Sequence, residues 1–104
     1  MKQKIDKLMR FHIPSKVTKG LNIVVGDELE LTIEYGNICI KRFESSNIKK
    51  RAYIGIVRKL NKVNRIQIPI EFLRILEIEL EDTFEIVVEK GKIKLVREWL
   101  LKVC

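Results

Sequence analysis

The sequence predicts a mainly β protein with short helices, built from two ββαββ repeats that share one core. The first observation is an internal repeat: an offset of 55 residues relates Arg10–Phe43 to the second half without a gap, and eleven of the 34 aligned positions are identical. The second is that short alternating apolar segments, bounded by turn residues, dominate both copies. The third is size, because a copy of about 50 residues is marginal for an independent core.

Each copy is predicted to begin with a strand, a turn and a second strand that stops at a proline. In the first copy Phe11 and Ile13 alternate with Arg10 and His12, which predicts an apolar inner face and a polar outer face. Pro14 ends the strand because proline has no N–H to donate and biases the preceding residue toward an extended backbone. The second copy repeats this pattern at Arg65, Ile66, Gln67, Ile68 and Pro69.

The turn before this strand is expected to differ between the copies, and a short helix is expected after each proline. Asn64 suits a left-handed turn conformation, whereas Met9 would be strained there, so the first turn should be of another type or less tight. Proline is well tolerated at a helix start, and Ser15 could cap the first helix, which Gly20 weakens. Helical spacing in the second copy is given by Ile70, Leu73 and Leu76, or by Phe72 and Leu76.

A hairpin of two strands closes each copy. The turns are placed at Gly36-Asn37 and Gly91-Lys92, and the intervening glutamates are expected to face water. The buried face of the preceding strand should carry Leu29, Leu31 and Ile33 in the first copy and Phe84, Ile86 and Val88 in the second. The predicted organisation is a first repeat at 1–43, a linker at 44–50, a second repeat at 51–98 and an apolar tail at 99–104.

Basic charge is concentrated in the front half of each copy. Residues 1–22 carry six Lys or Arg against one Asp, and residues 45–76 carry eight against one Glu, whereas residues 23–44 and 77–104 sum to −3 and −2. The chain as a whole has a formal charge of +7. An anionic partner would explain a segregation that occurs twice in register, although a basic face that only aids solubility is the plainer alternative.

Several classes of function lack support in the sequence. No apolar run is long enough to cross a bilayer and no signal-type stretch follows the first residues, so a cytoplasmic location without membrane contact is expected. Cys39 and Cys104 belong to no metal-binding or disulfide pattern, and Cys39 is expected to be a small core residue. No phosphate-binding loop or nucleophile motif is present, so we expect neither a cofactor nor an enzyme.

Three motifs of the second copy together resemble the AbrB/SpoVT swapped-hairpin family. They are Gly55-Ile56-Val57-Arg58-Lys59, then Arg65-Ile66-Gln67-Ile68-Pro69, then the hairpin from Asp82 to Arg97. The first copy matches more loosely from about Lys4 to Phe43. Members of this family are usually DNA-binding regulators of bacteria, in which two copies exchange hairpins to build one barrel. The resemblance implies such a barrel, formed within this chain as a pseudo-dimer.

The resemblance also implies which residues would lie on double-stranded DNA. In the second copy these are Arg58 and Lys59 on the first strand, Arg65 on the second strand and Arg74 in the helix. The matching positions of the first copy hold Gln3, Lys4, Arg10 and Lys19, a thinner set. His12 shares the outer strand face with Arg10, so it is a further candidate for a phosphate or base contact, with a solvated surface histidine as the alternative.

Two alternatives stay open at this point. The leading hypothesis is a nucleoid-associated transcriptional regulator that binds duplex DNA. The competitor is an antitoxin-like or protein-assembly module whose main partner is another protein, although antitoxins of this fold usually carry a longer C-terminal extension. One chain could close its own barrel, or two or more chains could exchange halves in a dimer or higher oligomer.

Overall fold

The computed structural model describes residues 2–44 and 55–97, which form eight strands and two helices. Apart from Glu44, the expected linker lies outside the described residues, as does the apolar tail with Cys104. The first copy contains β1 (Lys2–Lys4), β2 (Arg10–His12), α1 (Ser15–Gly20), β3 (Glu28–Glu34) and β4 (Asn37–Arg42). The second contains β5 (Ile56–Lys59), β6 (Arg65–Gln67), α2 (Ile70–Ile75), β7 (Thr83–Glu89) and β8 (Lys92–Arg97).

All strand pairings are antiparallel, which confirms the prediction of a mainly β protein with short helices. Six strands form one sheet in the order β1-β7-β8-β4-β3-β5, and β2 and β6 form a separate two-stranded ribbon. Four of the six pairings join one copy to the other: β1 with β7, β3 with β5, β4 with β8 and β2 with β6. Among the strands of residues 2–44 and 55–97, only β3·β4 and β7·β8 pair within a copy, apart from an isolated bridge between Ile5 and Phe11. The two copies therefore depend on each other for most of their strand partners.

The register of these pairings follows the 55-residue offset of the sequence. Lys2 lies opposite Glu85, and the corresponding Val57 lies opposite Glu30. Two of the pairings join a residue to its own counterpart, namely Phe11 to Ile66 and Cys39 to Lys94. A twofold axis that relates the copies would pass through these two pairs, because a residue on such an axis faces its own counterpart. The described residues thus have an approximate internal twofold symmetry.

The alternating residues of the strands supply one core. Phe11 and Phe84, from different copies, meet edge to face with their ring centroids 6.1 Å apart, a favourable aromatic geometry. Cys39 is buried as expected, and burial raises the pKa of its thiol. The largest fully buried side chains are Phe11, Phe84, Ile5, Ile13, Leu29, Leu31, Ile38, Ile40, Leu60, Ile66, Ile68 and Ile93.

The expected difference between the two turns before β2 and β6 is wrong. Met9 adopts φ of 61° and Asn64 of 58°, so both turns use a left-handed residue. The carbonyl of Met9 accepts a 2.8 Å hydrogen bond from the N–H of Ile68, and that of Asn64 accepts one of the same length from Ile13. These bonds between the copies fix the orientation of each turn and offset the strain of a non-glycine residue there.

Local expectations about the helices are only partly met. Each helix begins directly after its proline and has six residues, and Gly20 is the last residue of the first. Ser15 is not the cap: it lies inside the helix, where its carbonyl accepts a 3.0 Å hydrogen bond from the Thr18 hydroxyl. Phe72 and Leu73 supply the buried face of α2, whereas Ile70 is 39% exposed.

Three expectations about the hairpins need correction. The left-handed residues of the turns are Tyr35-Gly36 and Lys90-Gly91, one position earlier than expected, because a two-residue turn of this type needs positive φ at both central positions. Val88 is not buried, because 46% of its surface is exposed. Glu30 does not face water. It is 1% exposed and accepts a 2.8 Å hydrogen bond from the N–H of Gly55.

Gly55 occupies a position where the chain passes close to β3. A Cβ at this residue would overlap the carbonyl oxygen of Leu31. Only glycine therefore allows the backbone N–H to reach the carboxylate of Glu30. Separately, no helix among the described residues is both long and apolar enough to span a membrane.

Candidate nucleic-acid interface

The β2·β6 ribbon presents one polar face made by both copies. Phe11 and Ile66 point into the core with no exposed surface. The alternate side chains point outward and are half-buried, and their register sets Arg10 opposite Gln67 and His12 opposite Arg65. We call these four outward residues, Arg10, His12, Arg65 and Gln67, the ribbon face.

Two of the four side chains hold the copies together. The Gln67 amide donates a 2.9 Å hydrogen bond to the carbonyl of Leu8. His12 occupies the equivalent position in the other copy, and its Nδ1 lies 3.2 Å from the carbonyl of Val63. A carbonyl only accepts, so Nδ1 carries the proton in this contact. One ring nitrogen of His12 thus contacts the turn of the other copy.

The turns that precede β2 and β6 are built in the same way. Asp6 Oδ1 accepts hydrogen bonds of 2.9 Å from the backbone N–H groups of Leu8 and Arg10. Asn61 Oδ1 accepts the corresponding bonds from Val63 and Arg65, at 3.0 and 2.9 Å. These side chains replace missing backbone partners within the turn. The turns thus place Arg10 and Arg65 at equivalent points of the ribbon.

The same turns differ in charge. The second carboxylate oxygen of Asp6 accepts hydrogen bonds from Arg10 Nε at 3.0 Å and from Arg65 Nη1 at 3.4 Å. Partial burial alone would raise the pKa of Asp6, but the N–H groups of Arg10 and Leu8, together with the Arg10 side chain, outweigh it and hold the pKa below its ordinary value. Asp6 is therefore ionised at neutral pH and shared by arginines from both copies.

A basic cleft of about 360 Å³ opens beside the ribbon face. Four of the candidate residues predicted from the sequence line it, namely Lys4, Arg10, His12 and Arg65, and they come from both copies. The lining of the cleft contains four Lys or Arg side chains and one carboxylate, so its formal charge is +3 when His12 is counted as neutral. The complete lining is Lys2, Gln3, Lys4, Asp6, Arg10, His12, Arg65 and Thr83.

The other candidates lie outside this cleft. Arg58 and Lys59 are on β5, at the edge of the six-stranded sheet opposite β1, where the Arg58 guanidinium donates a 3.1 Å hydrogen bond to the carbonyl of Val57. By the internal symmetry they flank the other side of the ribbon, at positions equivalent to Gln3 and Lys4. Lys19 and Arg74 are exposed in the last turns of α1 and α2.

Arg74 borders a second, more apolar cleft of about 520 Å³. Ile70 and Leu80, 39% and 45% exposed, supply part of its apolar surface. The remaining lining is Lys7, Met9, Leu73, Glu77 and Ile78.

Sequence reasoning missed four residues of the ribbon face and the basic cleft: Lys2, Asp6, Gln67 and Thr83. The alignment of Asp6 with Asn61, two residue types that hydrogen-bond to their own turns, was a signal for the turn role. No sequence signal indicates that Asp6 also binds Arg65, 59 positions away. Among residues 2–44 and 55–97, no three His, Cys, Asp or Glu side chains come together in a way that could hold a metal ion.

No protein-family model matches the chain, and no curated protein matches it in sequence.

Proposed function

We propose that this protein is a bacterial transcriptional regulator that binds double-stranded DNA through a basic face formed by the first hairpin and the helix of both copies. The single observation that carries the proposal is that Arg10 and Arg65, related by the internal repeat, meet with Lys4 at one cleft. The proposed location is the bacterial cytoplasm, in association with the nucleoid. No catalytic role is proposed.

The physical basis is the attraction of clustered cations for phosphate. Lysine and arginine side chains neutralise backbone phosphates and release their counterions, which gives an affinity that falls steeply with salt. Arginine also makes bidentate contacts with guanine or enters a narrow minor groove. The ribbon face would form the centre of the interface. Lys4 would lie on one flank and Arg58 with Lys59 on the other, with Lys19 and Arg74 extending it along the helices.

The proposed fold is the swapped-hairpin barrel of the AbrB/SpoVT family, closed within one chain as a pseudo-dimer of repeats 1–43 and 51–98. The exchange of strand partners between the copies supports it, since β1 pairs with β7 and β5 with β3. The ribbon in which each copy gives one strand supports it further. Duplex DNA has local twofold symmetry, so two related arginines on one face suit a two-part site.

A protein partner is the second candidate, and the apolar cleft at α2 favours it. Exposed Ile70 and Leu80 beside Arg74 would suit an amphipathic segment of another protein, as in an antitoxin or an assembly module. This cleft and the basic cleft share no lining residue, but Arg74 belongs both to this cleft and to the proposed DNA interface, so the two partners would compete there.

The decisive experiment is a fluorescence titration of a short random-sequence duplex at several salt concentrations. The wild-type protein should bind at low salt, and Arg65→Ala should weaken binding and reduce the magnitude of the salt slope by about 0.9, the value for one lost phosphate contact. Lys90→Asn is the matched control. It removes one positive charge at the β7–β8 turn, about 20 Å along β7 from the cleft residue Thr83.

Absence of binding by the wild-type protein at low salt would refute the proposal. If Arg65→Ala and Lys90→Asn weaken binding equally, only net charge matters and the ribbon face is not the contact surface.

A further inference from the structure

The basic cleft contains one residue whose charge opposes the proposed ligand. Asp6 lies among Lys4, Arg10 and Arg65, and its side chain is 30% exposed. Its two oxygens have separate tasks: Oδ1 caps the turn, and Oδ2 receives the two guanidinium groups. The turn needs only the first of these oxygens, because Asn61 caps the equivalent turn with an amide oxygen. The negative charge of Asp6 is therefore not required by the local fold.

The arginines respond unequally to this charge. Arg10 pairs with the acid of its own turn, at 3.0 Å. Arg65, its counterpart, crosses to the turn of the first copy and pairs with the same oxygen at 3.4 Å. Its own turn holds the neutral Asn61. Both guanidinium groups are thus drawn toward the first-copy side of an otherwise symmetric ribbon.

We propose that Asp6 is an internal competitor for phosphate, a residue that tunes affinity for DNA and makes the two halves of the interface unequal. This inference rests on the proposed DNA-binding function. A phosphate that reaches Arg10 and Arg65 has to displace the carboxylate, because both offer anionic oxygens to the same N–H groups. The loss of these ion pairs lowers the net affinity of the cleft for phosphate. The surface on the Asn61 side carries no such competitor in its turn.

The equivalent residue Asn61 shows which substitution removes the charge of Asp6 and still caps the turn. Asp6→Asn retains an oxygen for the N–H groups of Leu8 and Arg10 but removes the ion pairs. The variant should bind the random-sequence duplex about fivefold more tightly, in keeping with the modest strength of partly exposed pairs. The magnitude of its salt slope should rise by about 0.9 if one more phosphate is contacted.

The reciprocal variant places a second competitor on the other side. Asn61→Asp keeps the turn cap, gives Arg65 an acid within its own copy, and should weaken binding by a similar factor. The exchange of both residues, Asp6→Asn with Asn61→Asp, preserves net charge and should restore an affinity close to that of the wild type. Glu89→Gln is the charge control for Asp6→Asn, since it also removes one negative charge but lies at the far end of β7.

The outcomes separate the two proposals. If the wild-type protein binds DNA but Asp6→Asn gains no more affinity than Glu89→Gln, Asp6 is not a competitor and the binding proposal survives. If the wild type does not bind at low salt, the binding proposal itself fails. A thermal melt of each variant shows that the turn is retained, and Asn61→Asp remains an independent readout should Asp6→Asn unfold. An unchanged affinity of folded Asn61→Asp would also overturn the inference.

Discussion

At the scale of single residues, ion pairs join the two copies at two places. In the basic cleft Asp6 pairs with an arginine from each copy, and at the C-terminal end of β3 a second pair links Glu34 to Lys92. Lys92 Nζ donates a 3.0 Å hydrogen bond to Glu34, and the Thr32 hydroxyl donates another of 3.1 Å. The bond from Lys92 is the main reason that the pKa of Glu34 lies below its ordinary value of 4.5. Glu34 belongs to the first copy and Lys92 to the second.

This pair predicts a specific pH dependence. A carboxyl with a lowered pKa in the folded state stabilises that state above its unfolded pKa, and this contribution is lost as pH falls through the folded value. Glu34→Gln should therefore lower the free energy of unfolding at neutral pH but leave it unchanged in acid, below the folded pKa. Urea unfolding at a series of pH values measures the difference. Lys92→Met should have the same signature, and the double variant should add little to either single one.

Equal destabilisation by Glu34→Gln at neutral and acid pH would contradict this account. The loss would then come from packing or from the hydrogen bond to Thr32 rather than from the ionised pair.

At the scale of elements, the two hairpin turns show how far the local sequence determines structure. Glycine at the second central position was a clear turn signal in both copies. The first central position is occupied by Tyr35 and Lys90, which do not favour the left-handed region that they adopt, with φ of 52° and 51°. The strands on both sides impose this conformation, because their twist matches only a turn with positive φ. Neither tyrosine nor lysine signals such a turn in the sequence. The sequence-based prediction therefore placed both turns one residue too late.

Tyr35→Asn should stabilise the protein. Asparagine tolerates the left-handed conformation better than other side chains, and Asn-Gly is the preferred sequence for this turn. Tyr35 is 100% exposed, so no packing is lost. We expect the free energy of unfolding to rise by about 1 kcal/mol, the lower end of the cost of a non-glycine residue in the left-handed region, measured by urea denaturation.

Gly36→Ala is the opposing control, because alanine is strained at φ of 80° and should destabilise the hairpin. A loss of stability in Tyr35→Asn would show that the turn relaxes to another type when the tyrosine is absent.

The same distinction between local and distant causes applies to the candidate site. The sequence alone predicts that Arg10 and Arg65 lie on the outer face of their strands. This follows from the internal repeat, from the alternation of apolar and polar residues, and from the proline that ends each strand. Their meeting at one cleft depends on the pairing of β2 with β6, which brings together strands 55 residues apart. The shared carboxylate of Asp6 depends on that pairing too. Glu30 is a similar case, because its burial follows from the close approach of Gly55, 25 positions away.

At the scale of the whole molecule, neither copy contains the partners that its own strands need. Within residues 2–44 the only extended strand pairing is β3·β4, beside one isolated bridge between Ile5 and Phe11, because β1, β2 and both edges of the hairpin pair with the other copy. Phe11, fully buried, packs against Phe84 of the second copy. A single two-stranded hairpin is marginally stable at best in water.

We therefore predict that the first copy produced alone, as residues 1–44, does not fold as a monomer. Its circular dichroism should be that of an unfolded chain at low concentration. Any structure that it gains should depend on concentration, because the missing partners of β1 and β2 must come from a second molecule. Mixing it with residues 51–104 should restore β structure, while the intact chain unfolds cooperatively at a midpoint independent of concentration. A monomeric first copy with a cooperative, concentration-independent transition would show that the strand exchange between copies is dispensable. The ribbon face would then have to form by some other pairing, and the joint placement of Arg10 and Arg65 would lose its structural basis.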